Sequence, residues 1–269
     1  MTQRAAHDEL ADLALETARA AADLVRRRRA QGVSVADTKS SDVDVVTAAD
    51  RETEALIRER ILSARPDDAI LGEEEAAEPG TSGVRWIVDP IDGTVNFLYG
   101  LPQYAVSIAA EVDGEVVAGV VVDVAKSLEY VARPGPDGPV ATRNGEPVAV
   151  RGPAPLGQRL IATGFSYQAD VRAVQAEAVC RMLPQVRDIR RLGSCALDLC
   201  AVAEGLIDGY VEEGVNLWDH AAAGLIARAA GARTRELVGA SGMPLLVCAP
   251  DHGFDDLLEL VRTVGLARE

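Results

Sequence analysis

Several features that mark whole classes of protein are missing from this chain of 269 residues. No run of 18 apolar residues occurs, which excludes an ordinary membrane-spanning helix, and the N-terminus has no apolar signal core. Neither a P-loop nor the glycine fingerprint of dinucleotide-binding folds is present, so kinases and dehydrogenases fit poorly. We expect a soluble protein that stays in the cytoplasm.

Cysteine and aromatic residues are scarce. The four cysteines form no Cys-x-x-Cys pair and have no zinc-ligand spacing with the three histidines. In a reducing cytoplasm they are expected as buried free thiols. Aromatic residues make up only 4% of the chain, so alanine, valine and leucine must fill most of the core.

Positive charge is also in short supply. The formal net charge is −15, with 27 basic residues against 42 acidic ones. This excess argues against a nucleic-acid backbone or an anionic membrane surface as the general partner. It also means that binding of a phosphate group needs local help, from cations or from backbone dipoles.

The most informative segment is 86–97, WIVDPIDGTVNF. Its start is typical of a core strand, and a proline follows Asp89, so the strand is expected to end there. Gly93 and Thr94 indicate a loop-to-helix junction, where free N–H groups favour phosphate. Asp89 and Asp92 would repel each other unless a cation lay between them, and magnesium suits such oxygen ligands best. The alternative is two consecutive turns with solvated acids.

Three other segments carry acids at similar places. Segment 70–75, ILGEEE, ends an apolar run with Glu73, which could lie beside the same cation. Asp219 begins an alanine-rich helical stretch, and Asp50 follows Thr47 at the start of another helix. Each of these last three residues could instead be only a helix cap.

The remaining pattern predicts an uneven alternation of helices and strands. The first half should contain helices at 4–30 and 50–64, a hairpin at 104–124, and turn-rich connections at 133–139 and 144–145. After a linker near residue 150, strands are predicted at 159–163, 187–192, 207–212 and 244–249, alternating with helices at 170–183, 194–204, 218–230 and 253–264. We predict an α/β fold with an α+β half, 1–150, that carries Glu73, Asp89 and Asp92, and an α/β half, 151–269, that carries Asp219.

Four segments together resemble the inositol monophosphatase family: 46–50, 72–74, 89–97 and 218–222. They occur in the family's order and at its approximate spacing, and the resemblance extends from about residue 10 to about residue 260. It implies a layered αβαβα sugar-phosphatase-like fold with the site in the cleft between two halves. It also implies magnesium-dependent hydrolysis of myo-inositol monophosphate to inositol and phosphate.

The resemblance implies a ligand set for two or three magnesium ions. In the family, a first ion is held by the acids that match Glu73 and Asp89, with the backbone carbonyl of Ile91. A second is held by the residues that match Asp89, Asp92 and Asp219, and a third, weaker ion shares Glu73. Every match falls on an identical residue, as an active member requires.

The same resemblance implies the catalytic roles. The magnesium ions would activate a water molecule that attacks phosphorus in line with the leaving alcohol. Thr94, paired with Asp50, would orient or deprotonate that water, with Glu73 as the third catalytic residue. Backbone N–H groups of Gly93 and Thr94 would hold phosphate oxygens, and no covalent phospho-enzyme is implied.

Contacts with the alcohol are expected mainly from the second half. Glu212 matches an acid that hydrogen-bonds ring hydroxyls, although an exposed strand-end glutamate is the alternative. Gly193, Ser194 and Cys195 match the segment that touches the inositol ring, and the cysteine departs from the family's usual alanine. The remaining expected substrate contacts are Asp92, Gly93, Thr94 and Asp219.

Two further residues are ambiguous. His220 lies where the family often has an apolar residue, and a magnesium-ligand role is not expected, because this hard ion prefers oxygen. Lys39 matches a mobile loop that helps cover the site, but it could equally be an ordinary surface lysine.

The metal motifs do not separate related activities. Enzymes with the same fold hydrolyse histidinol phosphate, fructose 1,6-bisphosphate, nucleotide 3′-phosphates or nicotinamide dinucleotide phosphates. A non-catalytic scaffold is a further alternative, against which the intact set of acids argues. The resemblance also suggests a homodimer and inhibition by lithium.

Overall fold

The computed structural model describes residues 3–33, 35–38 and 45–268. Within these ranges the helices are α1 (Gln3–Gln31), α2 (Ala48–Ala64), α3 (Thr94–Tyr99), α4 (Ala169–Met182), α5 (Cys195–Ala203), α6 (Leu217–Ala229) and α7 (Asp251–Thr263). The strands of the first half are β1 (Val35–Thr38), β2 (Val45–Thr47), β3 (Ala69–Gly72), β4 (Val84–Asp92), β5 (Ala105–Val112), β6 (Glu115–Asp123), β7 (Leu128–Gly135), β8 (Gly138–Arg143) and β9 (Glu146–Pro147). Those of the second half are β10 (Leu160–Thr163), β11 (Asp188–Arg190), β12 (Gly209–Glu213), β13 (Ala232–Val238) and β14 (Pro244–Pro250).

Two large sheets form the frame of the molecule. Strands β3 to β9 lie side by side in chain order in a seven-stranded sheet, where β3 and β4 run parallel and the later neighbours are antiparallel. The second sheet has the order β11-β10-β12-β14-β13, and β10 runs parallel to both of its neighbours. Strands β1 and β2 pair separately.

Helices cover both sheets in five layers. Helices α1 and α2 pack on the outer face of the seven-stranded sheet, α5 and α6 lie between the two sheets, and α4 and α7 cover the outer face of the five-stranded sheet. The face that α1 buries is mostly alanine, at positions 11, 14, 18, 21 and 22. Small side chains let a helix lie close to a sheet, so this core forms with few aromatic residues. The layered αβαβα prediction is confirmed.

Most of the predicted elements are confirmed, including the helices at both ends and the Asp113-Gly114 hairpin. Both residues of that turn have positive φ, at 52° and 84°, as a two-residue hairpin turn requires. The hairpin β5–β6 forms the centre of the seven-stranded sheet.

Three secondary-structure predictions were wrong in detail. Strand β4 does not end at Asp89 but continues to Asp92, because its pairing with β5 shifts register between these residues and the proline there has no ladder bond to donate. Segment 133–139 is largely strand, since two prolines face each other across β7 and β8 and neither is needed as a donor. Strand β13 was missed because it is a polar edge strand.

The cysteine prediction was partly wrong. All four thiols are free, but only three are buried, since Cys180 is exposed on α4.

Among the residues that the structure describes, no helix is both long enough and apolar enough to cross a bilayer. The proposed boundary near residue 150 separates the two large sheets along the chain, and as a boundary between folding units it stays a prediction.

Candidate active site

A cavity of about 350 Å³ opens where the ends of β4 and β12 meet the first turns of α3, α5 and α6. Ten of the residues predicted for the site line it: Glu73, Asp89, Ile91, Asp92, Gly93, Thr94, Gly193, Cys195, Glu212 and Asp219. Asp50 and Ser194 lie behind this lining and contact it through Thr94 and Asp92. The fold therefore brings together segments that are more than 100 residues apart in the chain.

Four carboxylates at this cavity repel one another. Burial raises the pKa of Asp89 well above its usual range, and the charges of Glu73, Asp92 and Asp219 raise it further. The pKa of Asp219 is raised in the same way, first by burial and then by Glu73 and Asp92. Burial also raises the pKa of Asp92, to about 7, against hydrogen bonds that lower it. Mutual repulsion of this kind favours the binding of a cation among the carboxylates.

Protein donors hold these acids in place. The Ile91 N–H donates to Asp89 Oδ1 at 3.0 Å, and the Asn216 N–H donates to Asp219 Oδ2 at 2.6 Å. Asp92 Oδ2 accepts from the Ser194 hydroxyl and, at 2.8 Å, from the Ala196 N–H. The second oxygens of Asp92 and Asp219 accept from no donor among the described residues. Asp219 is thus both a helix cap and a cavity residue.

The donor set suits a hard divalent cation. It consists of carboxylate oxygens and the Ile91 carbonyl, which are ligands that magnesium prefers over nitrogen or sulfur. Within the described part of the chain, no three His, Cys, Asp or Glu side chains are already arranged around one ion position. The carboxylates turn instead toward neighbouring N–H and hydroxyl groups. The chemistry of the donors and the repulsion among them fit the implied metal.

Thr94 and Asp50 form a hydrogen-bonded pair at the rim of the acid cluster. The hydroxyl of Thr94 lies 3.0 Å from both Asp50 Oδ1 and the Ile91 carbonyl oxygen. The other oxygen of Asp50 accepts from the Thr47 N–H at 2.8 Å and from the Thr47 hydroxyl at 2.5 Å. Asp50 therefore caps α2 with one oxygen and accepts a hydrogen bond from Thr94 with the other. The helix-cap alternative for Asp50 is correct, and it does not exclude the contact with Thr94.

Close backbone packing surrounds the start of α3. Gly93 has a φ of 94°, and a Cβ there would lie 2.8 Å from the Gln103 carbonyl oxygen and 3.1 Å from that of Gly193. Only glycine fits without strain. Helix α3 begins at the next residue, so the N–H groups of its first turn have no acceptors within the helix.

The alcohol-facing side contains Gly193, Cys195 and Glu212. Gly193 has a φ of 93° and is held by the Asn96 side-chain amide, which donates to the Leu192 carbonyl oxygen at 2.8 Å. Burial raises the pKa of the Cys195 thiol well above its usual range, which disfavours the reactive thiolate. Glu212 lines the cavity and is therefore not an exposed strand-end residue.

Ser194 differs in position from its prediction. It is 2% exposed and does not line the cavity, so the structure places it as a support rather than as a substrate contact. Its hydroxyl donates to Asp92 and accepts from the Leu197 N–H at 3.2 Å as the cap of α5.

His220 faces a separate cavity of about 200 Å³ beyond α6. Lys39 lies outside the described residues.

Sequence reasoning missed two charged residues at the site. Arg191 is the one basic side chain among the described residues that line the acidic cavity. Glu54 on α2 is buried and accepts from the N–H groups of Glu74 at 2.8 Å and Glu75 at 3.1 Å, so it fixes the loop that carries Glu73. The sequence signal for Glu54 was its position four residues after Asp50, which puts both acids on one face of α2.

The comparisons with known proteins agree with one another. The model of the inositol monophosphatase family matches residues 6–253. The inositol-1-monophosphatase of Mycobacterium bovis is 43% identical, over 96% of this chain and 95% of that protein. The Nus factor SuhB of Pasteurella multocida is 36% identical, over 82% of each chain. The solved structure of Mycobacterium tuberculosis SuhB has a TM-score of 0.82 and 43% identity, covering 97% of this chain and 98% of that one.

These findings identify the class of the protein and then its family. The five-layered fold is shared with the solved structure of Mycobacterium tuberculosis SuhB, and the relatives named inositol-1-monophosphatase place the chain among phosphatases. The chain belongs to the inositol monophosphatase family and is a phosphatase of that family.

Proposed function

We propose that the protein is a magnesium-dependent phosphomonoesterase that hydrolyses myo-inositol monophosphate to inositol and phosphate. The observation that carries this proposal is the cluster of mutually repelling acids that shares one cavity with Glu212. The acids suit the metal-bound phosphate, and Glu212 suits the hydroxyl groups of the alcohol. A relative named inositol-1-monophosphatase, aligned over nearly the full length, supports the same substrate.

The residues that would hold two or three magnesium ions are Glu73, Asp89, Asp92, Asp219 and the Ile91 carbonyl group. Bound magnesium supplies charge neutralisation at the phosphate and lowers the pKa of water enough for hydroxide to be available near neutral pH. The repulsion among these carboxylates supports this assignment, because removal of like-charge repulsion favours cation binding.

The chain's own groups would position the phosphate and move the proton. The Thr94 hydroxyl is already directed by Asp50, so this pair is suited to orient the attacking water or accept its proton. The first-turn N–H groups of α3 and the N–H of Gly93 would hold phosphate oxygens. Glu212, Gly193 and Cys195 would contact the departing alcohol from the opposite side of the cavity.

A substrate panel tests the proposal. Phosphate release is measured with magnesium for inositol 1-phosphate, histidinol phosphate, fructose 1,6-bisphosphate and 3′-phosphoadenosine phosphate. We expect inositol 1-phosphate to have the highest kcat/KM and chelation to abolish turnover. If another ester were preferred, the specific substrate would be wrong while the phosphatase class stood. Absence of turnover on all four would favour the scaffold alternative.

Metal binding can be measured without turnover. Magnesium that binds only the folded acid cluster should raise the thermal midpoint in a concentration-dependent way. At 100 times its Kd, the free energy of unfolding should rise by about 3 kcal/mol. Lithium is expected to inhibit phosphate release. An unchanged thermal midpoint up to tens of millimolar magnesium would contradict the metal assignment.

We further propose a cytoplasmic homodimer. Exposed apolar side chains support self-association: Tyr99 is 76% exposed, Leu101 54% and Leu206 60%. Leu206 shares a surface cavity with Gln103, which lies two residues after Leu101. Light scattering should give twice the chain mass, and Leu206→Asp should shift it toward the monomer. A monomeric wild type would contradict the proposal.

A further inference from the structure

The carboxylate of Glu212 is held by two features that play no part in the proposed metal binding. We propose that Tyr210 and Gly164 are positioning residues, which fix this carboxylate as a hydrogen-bond acceptor and so set the preference for a polyhydroxylated alcohol. This inference rests on the proposed function and adds the source of its specificity.

Tyr210 fixes one oxygen of the carboxylate. Its hydroxyl donates to Glu212 Oε2 at 2.9 Å. The two residues are next-but-one neighbours on β12, so their side chains project from the same face of the sheet. The ring of Tyr210 is fully buried in the central core between the sheets, where it is packed on all sides. Its hydroxyl is therefore a rigid donor.

Gly164 supplies the space in which the carboxyl group lies. Strand β10 runs parallel to β12 with Thr163 opposite Val211, which brings the residue after Thr163 beside Glu212. A Cβ at Gly164 would overlap the carboxyl group of Glu212. Gly164 does not have a positive φ, so the backbone itself would accept alanine. The Glu212 carboxyl group occupies the space that a side chain at this position would fill.

These contacts leave one oxygen for the substrate. Glu212 Oε1 accepts from no donor among the described residues, and an ionised carboxylate can only accept. The carboxyl group lines the cavity close to Gly193 and Cys195, where the alcohol is proposed to lie. The Cys195 thiol lies next to the Tyr210 hydroxyl. An acceptor fixed before binding holds a substrate hydroxyl with less loss of entropy than a freely rotating one.

The test compares two esters that differ in the alcohol. Inositol 1-phosphate offers ring hydroxyls to Glu212, and p-nitrophenyl phosphate offers none. With the full-length protein and magnesium, Tyr210→Phe should raise KM for inositol 1-phosphate about tenfold, the loss expected for one hydrogen bond to a charged group. We expect kcat for this ester and kcat/KM for p-nitrophenyl phosphate to stay within about threefold.

Matched controls separate positioning from folding. Tyr130 is a second buried tyrosine whose hydroxyl donates to a glutamate, Glu204, at 2.8 Å outside the cavity, so Tyr130→Phe should leave the ratio of the two esters unchanged. Gly164→Ala should raise KM for inositol 1-phosphate as Tyr210→Phe does. Gly152→Ala is its control, because a Cβ at Gly152 meets nothing within 4 Å.

The double variant Tyr210→Phe with Glu212→Gln should have no higher KM for inositol 1-phosphate than Glu212→Gln alone.

The outcomes are distinct. Equal losses on both esters, unchanged KM for inositol 1-phosphate, or additive losses in the double variant would each overturn the positioning role. A wild type that shows no preference for inositol 1-phosphate over p-nitrophenyl phosphate would also overturn it, since no specificity would remain to explain. A wild type that hydrolyses p-nitrophenyl phosphate and fails only with inositol 1-phosphate would instead refute the substrate in the proposed function.

Discussion

The two sides of the cavity are built in different ways. The acid wall, defined as Glu73, Asp89 and Asp92, comes from the ends of two neighbouring parallel strands. The alcohol wall, defined as Gly193, Cys195 and Glu212, comes from two separate segments of the second half, and Gly164 of a third segment lies against Glu212. Each acid of the acid wall stands at or near the end of an apolar run, whereas the alcohol wall depends on the pairing of β10 with β12 and on the contact of Asn96 with Leu192. Nearby sequence therefore specifies the first better than the second.

The two walls also differ in charge. On the acid wall, burial raises the pKa of Asp89 and the charges of neighbouring carboxylates raise it further. On the alcohol wall, burial raises the pKa of Glu212, while the Tyr210 hydrogen bond and the charge of Arg191 oppose that rise. Like-charge repulsion therefore adds to the effect of burial on one wall, whereas a donor and a positive charge oppose it on the other.

Removing one acid from the acid wall should have the largest effect. Asp92→Asn is expected to lower kcat at least about 100-fold, because charge stabilisation by a bound metal contributes several kcal/mol. Phosphate release at saturating substrate and varied magnesium is the measurement. Asp123→Asn is the control, because Asp123 is a buried acid of the same sheet that pairs with Lys126 at 2.9 Å, away from the cavity. Near-native turnover of Asp92→Asn would show that the acid wall is not a metal site.

The Thr94–Asp50 pair should come next. Thr94→Val removes the hydroxyl while keeping the shape of the side chain, and we expect kcat to fall about 100-fold or more with little change in KM. Thr53→Val on α2 is a matched control, because its buried hydroxyl has no hydrogen-bond partner among the described residues. If both variants lost activity equally, or neither did, the proton-handling role would be wrong.

A smaller effect should follow from loosening the support behind the alcohol wall. Glu213, buried next to Glu212, accepts from the Ser241 N–H at 2.7 Å and from its hydroxyl at 2.6 Å. Ser241→Ala should lower the free energy of unfolding by about 1–2 kcal/mol, as measured by urea denaturation. Ser63→Ala on the exposed face of α2 should change it by less than about 0.5 kcal/mol. Equal stability of the two variants would mean that the hairpin contact contributes little.

The smallest effect concerns His220, outside both walls. Burial lowers the pKa of its imidazole, and the nearby Arg228 lowers it further against an opposing effect of Glu236. The unfolded chain therefore binds this proton more readily, so the stability contributed by neutral His220 is present above about pH 6.5 and lost as pH falls below it.

His220→Gln should remove that dependence. Urea unfolding with chelator from pH 7.5 to 5 should show wild type losing more stability than the variant. Parallel curves for wild type and His220→Gln would mean that His220 titrates alike in the folded and unfolded states.

Prediction from sequence succeeded where a short pattern decides the geometry. The Asp-Gly turn between β5 and β6 and the glycine before α3 both require positive φ, which few other residues adopt. It failed where a neighbouring element decides. The continuation of β4 to Asp92 depends on its pairing with β5, and β13 forms a strand because β14 lies beside it rather than because of its own polar sequence.

The site shows the same division. Glu73, Asp89, Asp92, Thr94 and Asp219 could be proposed from sequence because each stands at the end of an apolar run or at a helix start. Ser194 was expected at the substrate, yet packing turned its hydroxyl toward Asp92. Arg191 carries no local pattern and is recognised only from the cavity that it lines, and the position of Glu54 on α2 does not by itself indicate its contact with the loop at Glu74.

The sequence by itself determined the family, the layered fold and the acids of the acid wall, because these depend on residue type and on spacing along the chain. Only the tertiary structure decided how the alcohol wall is assembled. Gly164 and Glu212 meet because β10 and β12 pair in one register, which places a residue without a side chain beside the carboxyl group. Contacts of this kind join segments that are far apart in the chain, so no pattern within either segment could have indicated them.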